Sequence, residues 1–157
     1  MTDEKKLKKA KDLFDSLCQM LDEKDGHYEK HEDDLVVTFV MGGDDIPMPF
    51  ILKIDADREL VRLVSPIPVV FEGDRRLDGA IATCQANYRL ADGSFDYDYT
   101  EGKASFRLTS SYVDSLISKD LLEFLVALAG NVVDKYNDKL FMLATGDMSL
   151  EEFIAQI

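Results

Sequence analysis

Gly93-Ser94-Phe95-Asp96-Tyr97-Asp98-Tyr99-Thr100-Glu101-Gly102-Lys103-Ala104-Ser105-Phe106-Arg107 runs through alternation, a turn and alternation again without interruption. Phe95, Tyr97 and Tyr99 fall on every second position, with Ser94, Asp96 and Asp98 between them. A strand built from these residues has one apolar and one polar face. Gly102 supplies the positive φ that a short hairpin connection with a bulge needs. The stretch predicts a β-hairpin, which brings antiparallel pairing with it.

Working outward, Arg75 to Arg89 places Leu77, Ile81, Cys84 and Tyr88 at helical spacing. Ala80, Ala82 and Ala86 would let that helix lie close to a sheet. Glu72-Gly73-Asp74 separates it from a strand over Glu59 to Val70, bent at Ser65-Pro66-Ile67-Pro68 because proline cannot donate a ladder hydrogen bond. Further upstream come a turn at Asp55 to Arg58 and a strand from about Met48 to Ile54, opened by Pro47 and Pro49. A β-rich run follows at Leu35 to Met41, then a polar segment, His27 to Asp34, that suits a short edge strand.

Residues 3 to 24 carry Leu7, Ala10, Phe14, Leu17, Cys18 and Leu21 at spacings of three and four, the pattern of a helix with one buried stripe. Downstream of the hairpin, a long helix is predicted from about Lys119 to Ala144. Leu121, Leu122, Leu125, Leu128, Ala129, Val132, Val133, Tyr136 and Leu140 are read as its inward side. Gly146 terminates it, and Ser149-Leu150-Glu151-Glu152 reads as a capping box opening a last short helix. The predicted class is α+β: one domain over residues 1 to 157, with a twisted antiparallel sheet of about five or six strands covered by helices.

Length and charge bound the function. A chain of 157 residues buries a core without staples. Its 18 Lys and Arg against 31 Asp and Glu leave a net charge of −13. Such a field repels phosphate backbones and anionic lipid, so neither nucleic acid nor a membrane surface is expected as a partner. The five lysines of residues 1 to 11 are read as a solvated helix face. The N-terminus shows no apolar leader, and the run from Leu121 to Val133 falls short of the roughly 20 residues that span a bilayer. A cytoplasmic protein is expected. Cys18 and Cys84 form no metal or redox spacing, and both are expected to be buried thiols.

Asp96 and Asp98, two apart on a strand, would project to one face roughly 7 Å apart, a geometry that can share a proton or hold a hard cation. The plainer reading is charge facing water on a half-buried hairpin. His27, His31, Glu29 and Glu32 offer metal-ligand chemistry but sit in the most polar segment, as an exposed edge strand would. Gly42-Gly43 and Gly73 lack the pattern of a phosphate-binding loop. No catalytic residue, metal ligand or cofactor is assigned, and an acid-base or metal enzyme is the lesser reading.

Apolar residues near strand ends and in the C-terminal segment are the candidates for partner binding: Met48, Phe50, Val70, Phe71, Phe141, Met142, Phe153 and Ile154. Soft Met and aromatic side chains there would form an adaptable groove for a partner helix or an extended protein segment. An acidic rim would favour basic partners. Alternatively, Phe153 to Ile157 would be completed by another chain of a larger assembly.

The hairpin resembles the YbjN family of candidate bacterial sensory transduction regulators, whose fold is like that of type III secretion chaperones. The resemblance rests on Gly93, Phe95, Asp96, Tyr97, Asp98, Glu101, Gly102, Phe106 and Arg107, with Asn87 in the preceding helix. It implies a non-enzymatic α+β domain that binds protein segments or regulates. Secretion chaperones of this fold are acidic dimers, so a homodimer is part of what the resemblance implies.

Overall fold

The computed structural model describes residues 3–157. Its elements run α1 (Glu4–Glu23), β1 (Tyr28–His31), β2 (Val36–Met41), β3 (Met48–Asp55), β4 (Leu60–Val70), α2 (Arg75–Arg89), β5 (Ser94–Asp98), β6 (Lys103–Ser111), α3 (Lys119–Thr145) and α4 (Leu150–Gln156). The six strands form one sheet in the order β1-β2-β3-β4-β6-β5, every neighbour antiparallel. The α+β class and the strand count read from the sequence are those of the molecule.

Three hairpins share one construction. The pairs His31–Val36, Asp55–Leu60 and Asp98–Lys103 each close a four-residue loop whose last residue is left-handed: Leu35 at φ 53°, Glu59 at φ 53° and Gly102 at φ 65°. Only Gly102 takes that conformation without a steric penalty. Leu35 is held by burial of its side chain and by its carbonyl, which accepts from the Ile54 amide at 3.0 Å. Glu59 is held by Lys6 and Lys9 at 3.3 and 3.2 Å and by the Tyr112 amide, 2.9 Å from its carbonyl.

One face of the sheet makes the core. Met48, Phe50, Leu52 and Ile54 of β3 are buried with Val61, Leu63 and Ile67 of β4 and Phe106 and Leu108 of β6. The buried Ser65 hydroxyl is satisfied by donating to the Pro49 carbonyl at 2.7 Å. The register of β4 on β6 shifts between Pro66 and Val70, the irregularity the two prolines foretold. α1 and α3 pack on this face, α3 through Leu122, Leu125, Ala129, Val133, Tyr136 and Leu140. Leu121, expected inward, is exposed, while Leu128 and Val132 are half-buried. Arg75 donates to the Ala144 carbonyl at 2.9 Å, placing a cation at the negative end of α3.

α2 turns the other way from its large apolar stripe. Its buried residues are Gly79, Ala82, Thr83 and Ala86. A Cβ on Gly79 would lie 2.8 Å from the Phe71 ring and 2.6 Å from the Tyr97 hydroxyl, so close approach selects this face. Leu77, Cys84 and Tyr88 are therefore exposed and Ile81 is half-buried. This corrects the expectation for Cys84; Cys18 is buried as expected, and desolvation pushes its thiol pKa up. Across the chain's end, both hydrogen bonds of the Ser149–Glu152 capping box form, and α4 seats Phe153 in the core of its own chain.

Candidate interaction surfaces

Both carboxylates of the hairpin serve the hairpin. Asp96 receives a fork from Arg107, Nε at 2.7 Å and Nη2 at 3.0 Å, and that bond raises the Arg107 pKa. Asp98 accepts from the Thr100 hydroxyl at 2.6 Å and from the amides of Thr100 and Glu101 at 2.9 and 3.2 Å. Led by the Thr100 hydroxyl, these bonds hold its pKa below the usual carboxylate range. Asn87 clamps the outer strand to α2: its amide nitrogen donates to the Phe95 carbonyl at 3.0 Å, and the Phe95 amide donates back to its oxygen at 2.7 Å. Phe95 in turn stands edge-on to Phe106 and Tyr136, ring centres 5.4 Å apart in each case.

His31 and Glu29 lie on the edge strand opposite Val36 and Thr38, His27 precedes that strand, and Glu32 pairs with Lys30. Among the described residues, no group of three or more His, Cys, Asp or Glu is arranged to hold a metal ion.

The apolar candidates divide by layer. Met48, Phe50, Phe71 and Phe153 are core residues with no more than 3% exposure and reach no surface. Val70 is 43% exposed on the sheet side facing away from the helices, whereas Phe141 is 41% exposed on α3. Met142 and Ile154 are half-buried against the core. The eight residues therefore do not form one groove.

Three other surfaces are open. The first is the outward stripe of α2, with Leu77 56% and Tyr88 87% exposed. The second is a groove of about 1210 Å³ between α1 and the segment before α3. Its lining includes Leu13, Tyr112, Leu116 and Ile117, with five lysines interleaved with Asp3, Asp12, Glu59 and Asp114. There Lys9 sits 5.1 Å from the Tyr112 ring centre and donates to the Tyr112 carbonyl at 2.6 Å. Burial, aided by Glu59 and Asp55, pushes the Tyr112 phenol up to about 12.

The third surface is the far side of the sheet, where residues alternate with the core positions and stay exposed or half-buried. Thr38, Ile51, Val64 and Arg107 form one row across β2, β3, β4 and β6. Val36, Lys53, Arg62 and Thr109 form the next. Among the described residues, the helices pack against the other side.

The architecture is that of the secretion chaperone-like α+β proteins. A chain of the HopA1–SchA chaperone–effector complex superposes with a TM-score of 0.56 at 15% identity, over 88% of this chain and 99% of that one. YbjN from E. coli, a candidate transcription regulator, superposes with a TM-score of 0.59 at 10% identity, over 85% of this chain and 92% of its own. At such identities the likeness is one of fold. No family model and no curated protein matches the sequence. Among the described residues, no helix is long and apolar enough to cross a membrane.

Proposed function

We propose that this protein is a non-enzymatic protein-binding module of a bacterial cytoplasm, chaperone-like or regulatory, that works as a homodimer and holds a segment of a partner protein. The observation carrying this reading is the fold itself: it matches a chain of a chaperone–effector complex while leaving apolar surface uncovered. Hot-spot anchors of protein interfaces are enriched in Trp, Tyr and Arg, and Tyr88, 87% exposed beside Leu77, is a side chain of that kind.

The α2 stripe supports the dimer. Its positions are symmetric about a point between Ala82 and Thr83, half a residue from the middle of the helix. In an antiparallel two-fold pairing Leu77 meets Tyr88 of the second copy, and Ile81 meets the second copy's Cys84. Asp78 and Arg89, neither in an ion pair among the described residues, flank the same edge of that pairing.

Tagged protein used to capture partners from a bacterial lysate, followed by mass spectrometry, tests the binding role. Enrichment of no protein above a control domain of similar charge would remove it. Light scattering on wild type and Leu77→Asp tests the dimer. A monomer in both samples would sink that part alone.

A further inference from the structure

On the far side of the sheet, Lys53 of β3 and Arg62 of β4 are directly opposed. Cross-strand partners on one face stand about 5 Å apart at Cβ, and like charges so placed are destabilising. Both side chains are exposed, and neither has a carboxylate in ion-pair reach among the described residues. Arg107 on β6 adds a third cation to the same face, and Asp96 neutralises it alone. In a chain with 13 more acids than bases, two adjacent cations without a partner run against the composition. Beside them lies apolar surface: Val36, Ile51 and Val64, with Ile51 41% exposed. Six carboxylates, Asp15, Glu32, Asp33, Asp34, Asp55 and Asp57, line with Lys53 a groove at the sheet's end, and among the described residues Lys53 closes an ion pair with none of them. Their charge would turn away a segment that is acidic throughout.

We infer that this face is where a partner protein docks an apolar segment carrying a central carboxylate, its Asp or Glu between Lys53 and Arg62 and its apolar side chains over Val36, Ile51 and Val64. The inference rests on the protein-binding reading above and gives it a chemistry. It also reverses the expectation from net charge: the field of the whole molecule favours basic partners, while this surface selects an acidic one. A pair of donors left without an acceptor in the free protein gains a charge-assisted bond only in the complex.

The test uses two labelled peptides of about a dozen residues, a length that spans such a sheet. In both, Val and Leu alternate with Ser; one carries two central Glu, its twin two central Lys. Fluorescence anisotropy on the full chain is expected to show the Glu peptide binding about tenfold tighter than its twin. Amide shifts should centre on residues 51–53 and 62–64, and Lys53→Glu with Arg62→Glu should abolish the preference. Equal affinities, no binding of either peptide, shifts centred elsewhere, or a preference that survives charge reversal would each overturn the inference. A change of oligomeric state in the double variant would name a second copy as the occupant and overturn it too. If lysate partners are still captured when the peptide preference is absent, the binding reading stands and only this inference falls.

Discussion

A Cβ placed on Gly102 would sit 2.0 Å from the Phe71 carbonyl oxygen, and the residue's φ of 65° lies where any other L-residue is strained. The Phe71 amide also donates to the Gly102 carbonyl at 2.8 Å, so this loop is pressed against the end of β4 and cannot drift outward to make room. Gly102→Ala should therefore lose more than the ~1–2 kcal/mol that a left-handed residue alone costs. Denaturant midpoints would show it, and a loss below about 0.5 kcal/mol would mean that the Phe71 backbone yields. Glu59 makes a pH-dependent contribution in the matching loop. The Lys9 hydrogen bond, with Lys6 behind it and desolvation opposing both, lowers its pKa from the ordinary value of 4.5. A lowered carboxylate stabilises the fold above the unfolded pKa, and that stability is lost as pH falls through the folded one. Melting temperatures followed below pH 5 should accordingly fall less steeply for Glu59→Gln than for wild type. Parallel curves would show that Glu59 titrates alike folded and unfolded.

The strands and helices were legible to different depths, and physical reasons separate them. Most of the hairpin Gly93 to Arg107 could be read from the sequence, because alternation, a glycine turn and half-burial coincide in it; Tyr99, read as continuing the apolar face of the first strand, is instead a loop residue, 56% exposed, because the strand ends at Asp98. The loops ending at Leu35 and Glu59 could not, because tertiary contacts hold a left-handed backbone that their sequence disfavours. That ambiguity reaches the candidate site. A turn at residues 55 to 58 would pair Ile54 with Glu59, whereas the true loop pairs Asp55 with Leu60, and only that register brings Lys53 opposite Arg62. In α2 the large apolar stripe and the small one, Gly79, Ala82, Thr83 and Ala86, both have helical spacing. Close packing on Phe71 and Tyr97 decides for the small one, and no hydropathy pattern ranks the two. Composition could not distinguish core from surface among the Met and Phe residues either, since four of the eight candidates fill the core that their neighbours need. The register yields a prediction at this scale. Arg62→Gln removes the repulsion of this cross-strand pair without adding a carboxylate to those that line the groove with Lys53, and should raise stability by up to about 1 kcal/mol while weakening any acidic ligand. A melting temperature that falls would show that Arg62 is stabilised by something other than its neighbours on the sheet.

For the whole molecule, the net charge of −13 sets how surfaces of opposite character can coexist. Two copies that associate bring like fields together, and the cost of doing so is screened by salt over a Debye length of about 10 Å at 0.1 M. The outward stripe of α2 is apolar at Leu77, Ile81 and Tyr88, and Asp78 and Arg89 flank one edge of it with opposite charges. Apolar burial is not weakened by screening, and exposed ion pairs contribute about 0–1 kcal/mol. The dimer should therefore tighten as salt rises from about 0.02 M to about 0.5 M, as repulsion between the copies falls faster than Asp78–Arg89 attraction. An acidic peptide on Lys53 and Arg62 should respond in the opposite sense and loosen over the same range, because there the attraction itself is screened. Sedimentation of the free chain and peptide anisotropy, run across one salt series, measure both. A dimer that loosens with salt would place its binding energy in charge pairs rather than in the Leu77–Tyr88 stripe. A peptide affinity that holds constant would move the docking energy from the two cations to the apolar residues beside them.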